Sequence, residues 1–588
     1  MKVIKNNLYL CKYFKKYAKL YIPYFFLCGI MQAVSMVLNI YSIQIILDEI
    51  ISGSAIKSII MIVVFVQLIY LLDNIYINFT SFFSDHLNTK LQVGLSSELL
   101  EKTASLDYEC FDIPDFYDKR TRALSDGTGT IGSLVGSLTG LFSSGFSLIA
   151  VIAVMATYHY SYLIIAILGT AILFVFENIL NKMDYDYNYS MTRDYRIASF
   201  PHAIMYTPSY QKENRIFNFT SFFSDMYQAL SYAILKKRDR YNVKYASVNS
   251  IQDLLIILTT IAAYVVSIYR INDGLLTIGA FVATIQGSET LRSSMYGVIK
   301  QIPNFIKNSR YVDNLREVMD YNGKIEGFHG EKETCDLSGN IELEFKNVTF
   351  KYPNTDKNIF ENLSFKISNK HFLAIVGENG MGKTTFFKLL MRLYDPDEGE
   401  ILVNGINIKD YDIKSYRVGI SACMQDHCYY RMSVRNNITF GHEATDEELY
   451  DILKKVRLDD VVNGYDNKLD QMMGRDYYED GIDMSGGQAQ KLSLARCLFK
   501  KSANLFLLDE PSSSLDALAE EQILDSIHEI SKEKTIFMIT QRMTMVRYAD
   551  MVIYIENGKV VESGTHDELI NLGGKYATLY NTQKNRFI

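Results

Sequence analysis

The sequence predicts a protein of two unlike domains, an all-α domain of about six membrane-spanning helices followed by an α/β domain. Most of the long uncharged runs in this 588-residue chain lie before about residue 305. After about residue 340, short apolar strands, turns and helices alternate. A chain of this length is also expected to form two or more folding units. We therefore predict a membrane domain at 1–322, a linker at 323–339 and a second domain at 340–588.

Composition narrows the functional classes. The formal net charge of −7 gives no reason to expect nucleic-acid binding. Seven cysteines, an odd number with no CxxC pair, argue against a disulfide framework or a zinc site. The first nineteen residues carry six lysines and no acid, which predicts an amphipathic helix on the cytoplasmic face of a membrane.

The membrane spans follow from the uncharged runs, because a bilayer core needs about 20 apolar helical residues. The predicted spans are 20–47, 58–83, a pair within 127–176 that turns near Thr157–Tyr162, 251–271 and 276–302. The connections between spans two and three and between spans four and five are long and charged. With the N-terminus inside, both face the cytoplasm, together with the second domain.

Five charged residues interrupt the predicted spans at a similar inner depth: Asp73, Glu177, Asp253, Glu289 and Arg292. Charges at that depth usually line a bundle interior or a water-filled cavity. They would then form an acidic inner vestibule that favours cationic or zwitterionic cargo. The alternative is that the helices extend beyond the membrane, where these charges are simply solvated.

A glycine-rich turn follows the apolar strand predicted at Leu373–Val376. It matches the P-loop pattern GxxxxGK[ST] between a strand and a helix. Its residues are Gly377, Glu378, Asn379, Gly380, Met381, Gly382, Lys383, Thr384 and Thr385. The glycines allow backbone N–H groups to surround phosphates, and the helix adds its positive N-terminal end. We predict that Lys383 reaches the β- and γ-phosphates of ATP and that the Thr384 hydroxyl binds Mg²⁺.

Two further segments contain residues that could bind a nucleotide or act on it. The buried strand Leu505–Leu508 ends in Asp509, which suits the Mg²⁺ shell, and Glu510, which suits activation of the attacking water. A small polar turn of Ser485, Gly486, Gly487 and Gln488 precedes the predicted helix Ala489–Phe499. Such a turn is either an ordinary helix cap or a second anion cradle. Because the chain already has one phosphate site, a second cradle would serve the nucleotide of a partner chain.

Together these motifs resemble the ATP-binding cassette (ABC) transporters, specifically half-transporters with the type IV exporter fold. The resemblance covers nearly the whole chain, and it makes the second domain an α/β P-loop NTPase of the ABC cassette type. It implies that Met484–Gln488 is the signature motif, with Met in place of Leu, and that Tyr352 stacks on adenine. It further implies that Gln425 touches Mg²⁺ and senses the membrane domain, and that Asp516 lies in the D-loop, at the dimer interface.

Coupling helices of this family match 111–123 and Tyr210–Phe217. The amino-acid sequences of two cassette segments are similar to those of exporters found beside peptide (lantibiotic-type) clusters. These segments are Gly481–Arg496 and Arg547–Tyr580.

One position departs from the family pattern. The switch histidine expected after the strand Thr535–Thr540 is Gln541 in this chain. Glutamine can donate a hydrogen bond to the γ-phosphate, but it cannot become a cation. The chain therefore pairs either with a different half-transporter that supplies a faster site, which we favour, or with a second copy of itself that hydrolyses ATP slowly.

The resemblance implies ATP-driven export of a peptide, a drug-like compound or another lipophilic compound across the cell membrane. ATP and Mg²⁺ are the expected cofactors. A second half-transporter and membrane lipids are the expected partners. A flippase for lipids or lipid-linked glycans would have the same fold and ATP chemistry. A nucleotide-gated channel or sensor is disfavoured because Glu510 is intact.

Overall fold

We describe a computed structural model of the chain, which covers residues 2–326, 332–339, 341–367, 372–513 and 517–584. The chain divides into two compact units. The first contains residues 1–104 and 118–320, and the second contains 105–117 and 321–588. The predicted linker at 323–339 falls within the second unit, and its role as a linker stays a prediction.

Long helices build the first unit, as the uncharged runs predicted. In chain order, and including one short helix that belongs to the second unit, these helices are α1 Lys2–Tyr17, α2 Tyr21–Ile51, α3 Ile56–Ala104, α4 Glu109–Asp112, α5 Pro114–Tyr158, α6 Tyr160–Tyr206, α7 Pro208–Phe217, α8 Thr220–Asn272 and α9 Ile278–Met319. The turn predicted near 157–162 is the break between α5 and α6. There the His159 side chain accepts a hydrogen bond from the Ser161 N–H and begins α6.

Within the described residues, five helices are long and apolar enough to cross a membrane: Tyr21–Ile51, Ile56–Ala104, Ile131–Tyr158, Tyr160–Asn188 and Thr220–Asn272. The sixth predicted span coincides with α9. That helix is 42 residues long but is not among the five, because Glu289, Arg292 and several hydroxyl side chains reduce its hydropathy.

The charged residues of the predicted spans have polar neighbours on the membrane helices. Glu289 forms an ion pair with Arg292 and accepts a hydrogen bond from the Thr260 hydroxyl at 2.9 Å. Glu177 accepts a hydrogen bond from the Tyr296 hydroxyl at 3.2 Å. The predicted acidic vestibule stays a prediction. At least one of the carboxylates assigned to it, that of Glu289, is paired with the cationic side chain of Arg292.

Strands and shorter helices build the second unit. The strands are β1 Leu343–Phe350, β2 Phe360–Ile367, β3 Phe372–Val376, β4 Glu398–Val403, β5 Ile406–Asn407, β6 Ile420–Cys423, β7 Leu505–Asp509, β8 Thr535–Ile539, β9 Met551–Glu556 and β10 Lys559–Gly564. The helices are α10 Lys383–Leu390, α11 Ile413–Val418, α12 Val434–Thr439, α13 Asp446–Lys455, α14 Asp459–Asn463, α15 Gly486–Phe499, α16 Ala517–Ser531, α17 Met543–Val546, α18 His566–Leu572 and α19 Lys575–Lys584.

Two sheets form in this unit. An antiparallel sheet has the strand order β2-β1-β4-β5, and a larger sheet has the order β10-β9-β3-β8-β7-β6. In the larger sheet β3 is parallel to β8 and β9, and β7 is parallel to β6 and β8. Parallel strands are buried on both faces, which explains the continuous apolar runs. Phe372, Ala374 and Val376 enter one core cluster, whereas Leu373 and Ile375 enter the other.

Residues 105–117 lie between α3 and α5 in sequence but belong to the second unit. The buried Asp107 carboxylate accepts hydrogen bonds from the backbone N–H groups of Lys324, Ile325 and Glu326, at 2.7, 3.1 and 2.8 Å. Asp112 accepts a hydrogen bond from the Tyr394 hydroxyl. This segment therefore packs as part of the α/β unit, and its first residues precede the predicted segment 111–123.

Candidate functional site

The predicted P-loop connects the end of β3 to the start of α10. Gly377, Gly380 and Gly382 have φ values of +151°, +80° and +91°, a backbone region that residues with a side chain rarely adopt. A Cβ atom on Gly382 would also lie 2.8 Å from the side chain of Ile359. Glycine is thus required both for the turn and for the close approach of the segment of this chain that contains Ile359.

Lys383 begins α10 and is buried. Its Nζ donates hydrogen bonds to the carbonyl oxygens of Gly377 and Glu378, at 2.8 and 2.7 Å. Burial lowers the pKa of Lys383, and the nearby carboxylates of Glu510 and Asp509 oppose that shift. The ammonium group is therefore held inside the loop that would surround the phosphates.

Thr384 and Asp509, which are both predicted to hold Mg²⁺, lie in direct contact. The Thr384 Oγ1 donates a hydrogen bond to the Asp509 Oδ2 at 2.8 Å. Burial raises the pKa of Asp509 to about 6, although the hydrogen bond from Thr384 opposes the shift. A hydroxyl and a carboxylate at this spacing are oxygen ligands of the kind that Mg²⁺ prefers, so these residues fit that ion.

Glu510 is held by its backbone and by a neighbouring side chain. It has φ +50°, its N–H donates to the Ile539 carbonyl at 2.9 Å, and its side chain is half-buried. A left-handed conformation in a non-glycine residue stores strain and is often found at functional sites. The Gln541 Nε2 donates a hydrogen bond to the Glu510 Oε1. The residue at the switch position therefore contacts the predicted catalytic carboxylate directly.

Sheet topology explains why these residues meet. The parallel strands β3, β7 and β8 are adjacent, so their carboxyl ends lie at one edge of the sheet. The P-loop follows β3, Asp509 ends β7, and Gln541 follows β8. Ligands of open α/β sheets bind outside the carboxyl ends of the strands.

Sequence reasoning did not identify Gln583, a residue of α19. Its Nε2 donates to the Gln541 carbonyl at 2.8 Å, and its Oε1 accepts from the Met543 N–H at 3.3 Å. Both ends of one amide side chain thus hold the backbone on either side of Arg542. A glutamine in the last helix of the chain has no local sequence signal for this role.

The predicted adenine-stacking residue Tyr352 lies beside α10. Its hydroxyl is 2.9 Å from the Thr385 Oγ1, and its ring packs edge-on against Tyr394, with ring centroids 5.4 Å apart. The side chain is half-buried, so part of the ring stays accessible. Stacking on adenine stays a prediction, as does every other assigned role in this site.

The predicted signature turn begins α15. Ser485 and Gln488 form a reciprocal capping box, in which each side chain accepts from the other residue's backbone N–H. The Gly486 carbonyl lies 3.1 Å from the His427 Nε2, and Met484 is buried in the core. Among the described residues, none of the hydrogen bonds made by Ser485–Gln488 reaches the P-loop. Within one chain the turn therefore acts as a helix cap.

The structure gives fewer contacts for two other predicted site residues, Gln425 and Asp516. Gln425 follows β6 with an exposed side chain, and its carbonyl accepts from the His427 N–H at 3.0 Å. Its neighbour Asp426 is close enough to raise the pKa of Asp509, although burial is the main cause of that shift. Asp516 lies outside the described residues.

Comparisons with known proteins match both parts of the chain. A family model described as the ABC transporter matches residues 360–513, and one described as the ABC transporter transmembrane region matches residues 22–188. The structure of a bacterial Atm1-family ABC exporter with ATP bound superposes with a TM-score of 0.81 at 20% sequence identity. That match covers 96% of this chain and 98% of the exporter. At this identity the likeness establishes the fold alone.

Curated relatives are similar over different lengths. The subtilin transport ATP-binding protein SpaT of Bacillus subtilis is 27% identical over 544 residues, which are 91% of this chain and 87% of SpaT. The β-(1→2)glucan export protein NdvA of Bartonella quintana is 33% identical over 53% of this chain and 51% of NdvA. The ATP-dependent lipid A-core flippase of Photobacterium profundum is 30% identical over 58% of both chains. The chain thus spans about half of the last two proteins.

The chain belongs to the ABC transporters. It joins the transmembrane region and the nucleotide-binding domain of that family in one polypeptide with a type IV exporter fold. It is therefore a multi-pass membrane protein with a cytoplasmic ATP-binding domain.

Proposed function

We propose that the chain is one half of an ATP-driven exporter that hydrolyses ATP at a site shared between two chains. The observation that carries this proposal is the contact of Gln541 with Glu510, beside the P-loop and Asp509 at one sheet edge. A structure that only bound nucleotide would not need a carboxylate in a strained backbone conformation at this edge.

The proposed chemistry assigns one role to each residue. Lys383 would neutralise the β- and γ-phosphates, to which its ammonium group moves from the loop carbonyls. Glu510 would accept a proton from the attacking water or orient that water, as a general base does. Gln541 would hold Glu510 and donate to the γ-phosphate. Thr384, Asp509 and Gln425 would hold Mg²⁺, which supplies charge neutralisation at the transferred phosphate.

A second chain would complete the site. The capping box uses the N–H groups of Ser485 and Gln488, whereas no hydrogen bond among the described residues uses those of Gly486 and Gly487. These two N–H groups lie at a helix N-terminus, which attracts anions. Since none of the hydrogen bonds that the turn makes among the described residues reaches the P-loop of its own chain, we propose that the turn caps the γ-phosphate bound by the partner chain. Closure of two such sites would move the membrane helices. Inverting a 1:99 equilibrium requires about 5.5 kcal/mol of differential binding.

We propose that the physiological partner is a different half-transporter, because Gln541 cannot supply the cationic switch that the family uses. Purified alone, the chain would still pair with itself, since every element of one shared site is present in it. That self-pair would turn over slowly. Affinity isolation through a tag on this chain from its native host tests the proposal. Recovery of this chain as the sole half-transporter would overturn it.

For the cargo, we propose a peptide or another lipophilic compound. The near full-length similarity to the subtilin transport protein supports this choice and agrees with the resemblance to exporters found beside peptide clusters. A lipid or glycan flippase is the second candidate, since a lipid A-core flippase and a glucan export protein are also similar.

The proposed function is tested by ATP hydrolysis and peptide uptake in inverted membrane vesicles that contain the chain, beside vesicles that contain the Glu510→Gln variant. We expect ATP-dependent uptake by the parent chain and none by the variant. Lipid-stimulated hydrolysis without peptide stimulation would instead support the flippase. A nucleotide-dependent ion current without hydrolysis would contradict export.

A further inference from the structure

One histidine of the α/β unit contacts both the loop after β6 and the turn that begins α15. The Nε2 of His427 lies 3.1 Å from the carbonyl oxygen of Gly486, the first residue of α15. Its Nδ1 lies 3.0 Å from the carbonyl oxygen of Gln425, which also accepts a hydrogen bond from the His427 N–H. A single ring thus connects a residue assigned to Mg²⁺ in its own chain with the turn assigned to the ATP of the partner chain.

The contact with Gly486 is a hydrogen bond that the ring donates. A carbonyl oxygen can only accept, and a neutral imidazole carries one proton that can be placed on Nε2. The His427 side chain is half-buried, so water competes for this bond in part. Its net contribution is therefore that of an ordinary neutral hydrogen bond and not that of a buried ionic one.

The Gly486 carbonyl belongs to the same peptide group as the Gly487 N–H. A peptide group is planar, so a contact that holds the carbonyl also sets the direction of the N–H. A donor on the carbonyl polarises the group as well, which strengthens the N–H as a donor. This N–H lies in the first turn of a helix, where backbone N–H groups have no partner within the helix. His427 therefore acts on a peptide group whose N–H is available to an anion.

The local sequence leaves this peptide group in need of support. Glycine adopts a wide range of backbone conformations. A Cβ atom on Gly486 would have no neighbouring atom within 4 Å, so packing does not restrain this residue. The capping box bonds the N–H groups of Ser485 and Gln488, which lie on either side of the peptide between the two glycines. His427 supplies a restraint at the point that the capping box passes over.

We propose that His427 is a positioning residue for the γ-phosphate bound by the partner chain. Its hydrogen bond to Gly486 orients and polarises the peptide group whose Gly487 N–H faces that phosphate. The inference rests on the proposed ATP site shared between two chains. It assigns an effect in trans to His427, because loss of the ring slows hydrolysis at the site whose P-loop belongs to the other chain.

Two other roles for His427 are separate outcomes of the test. A ring that acts through Gln425 would serve Mg²⁺ at the P-loop of its own chain. A ring that only supports the fold would affect hydrolysis wherever it is substituted and would lower the unfolding temperature.

The test places each His427 substitution in one chain of a defined pair. One full-length chain carries Lys383→Ala and supplies the intact signature turn, and the other carries Ser485→Arg and supplies the intact P-loop. The two chains bear different affinity tags, so purification on both tags yields nanodiscs with one copy of each. Such a disc holds one complete ATP site. Initial rates of phosphate release at saturating ATP and Mg²⁺ measure its kcat.

We expect His427→Phe in the Lys383→Ala chain to lower kcat by about threefold to fivefold, because a neutral hydrogen bond is lost. The same substitution in the Ser485→Arg chain should leave kcat unchanged. His427→Gln in the Lys383→Ala chain should restore most of the rate, since its amide can donate from about the position of Nε2. Binding of a fluorescent ATP analogue should be equal in all pairs. His442→Phe, at an exposed histidine, is the matched control and should change neither quantity.

Four results would overturn the inference. An equal loss in both placements would show that His427 supports the fold, and a loss confined to the Ser485→Arg chain would show that it acts through Gln425. The absence of a loss in either placement would show that the ring has no part in hydrolysis. A rate for His427→Gln as low as that for His427→Phe would show that the donated hydrogen bond is not what matters. If His427→Phe gives no folded pairs, His427→Leu takes its place.

This inference and the proposed function fail in different ways. If the pair without any His427 substitution releases no phosphate, the shared site is wrong and the role of His427 falls with it. If that pair is active and the placement of His427→Phe makes no difference, only the role of His427 is wrong.

Discussion

The two units of the molecule hold their charged residues in different ways. In the α/β unit, Lys383, Asp509 and Glu510 meet at one edge of a parallel sheet, where strand ends and positive-φ residues position them. In the membrane unit, charged residues are dispersed over several helices. Glu289 is paired with Arg292 by side chains alone.

This difference explains why the ATP chemistry and the cargo preference are not equally visible in the sequence. Backbone geometry fixes the ATP chemistry, because a turn with φ near +90° accepts few residues, and sequence spacing therefore reveals it. We expect the cargo preference to depend on side-chain contacts between long helices, and many residue combinations can make such contacts. The class of protein is consequently more visible in the sequence than its cargo.

The largest expected effect is at Glu510. We expect Glu510→Gln to lower ATP turnover by about 10²–10⁴-fold, because a general base is lost while the shape of the side chain is kept. The measurement is phosphate release by the purified chain in nanodiscs. ATP binding should be unchanged, which serves as the control. Turnover close to that of the parent chain would show that another group activates the water.

Gln541 tests whether the switch position limits the rate. We expect Gln541→Ala to reduce turnover by about 10²-fold, because Glu510 loses its neighbour and the γ-phosphate loses a donor. Gln541→His should raise turnover above that of the parent chain, since imidazole can carry a positive charge. Phosphate release measures both variants. If Gln541→His leaves a negligible rate unchanged, the missing component is the partner chain.

Much of this site could be predicted from the sequence, and the reason is local. The P-loop and Glu510 each follow a buried strand and Asp509 ends one, so spacing along the sequence was enough to place them in the fold. Gln583 could not be predicted, because it contacts Gln541 from a helix and lies 42 residues further along the chain. Asp107 could not be predicted either, since its backbone partners at 324–326 are more than two hundred residues away. The helical pattern of the membrane domain was predictable, but the partners of its charges were not.

Acidification should weaken Mg²⁺ binding through Asp509. The carboxyl has a pKa of about 6 in the folded chain, above its ordinary value of 3.8, because it is buried. A raised carboxyl pKa means that the folded state keeps the proton between these two values. The free-energy cost that this group adds to folding therefore grows as the pH rises from about 4 to about 6 and is constant above that range, so the group does not cause acid unfolding.

We expect Mg²⁺ affinity to fall by about tenfold from pH 7 to pH 5, because the proton competes with the metal. Mg²⁺ titration of a fluorescent ATP analogue bound to the chain measures this effect. The variant Asp509→Asn has no carboxyl at this position, so its Mg²⁺ affinity should be weak and should not fall between pH 7 and pH 5 through this residue. A parent chain with constant affinity over this range would contradict the assignment of Asp509 as a ligand.

Substitution of Gln583 should have a smaller effect, which should fall on the rate of ATP hydrolysis and not on ATP binding. We expect Gln583→Glu to lower kcat by about two- to fivefold with KM for ATP unchanged, because a carboxylate cannot donate to the Gln541 carbonyl and a net hydrogen bond is worth about 1 kcal/mol. Asn581→Asp on the exposed face of the same helix is the matched control. Equal kinetics of the two variants would show that Gln583 does not position the switch segment.

The membrane ion pair should give the smallest effect. Glu289→Gln leaves Arg292 without its partner, whereas Glu289→Gln combined with Arg292→Gln removes both charges. We expect the single variant to be less stable than the double variant by about 1 kcal/mol, because an unpaired charge in a low-dielectric site is costly. Thermal unfolding in nanodiscs measures the difference. A double variant that is less stable than the single one would mean that Arg292 is not costly without Glu289 and stabilises the fold by other contacts.

The most direct test of the account is a mixing experiment on the shared ATP site. Lys383→Ala removes the phosphate contact of one chain, and Ser485→Arg blocks the signature turn of another. Each variant alone should be inactive, while Ser485→Arg should still bind ATP. Nanodiscs assembled from both variants together should regain ATP turnover, because one of the two sites then combines the intact P-loop of one chain with the intact turn of the other. A mixture that stays as inactive as either variant, although discs with two copies form, would contradict a site shared between two chains.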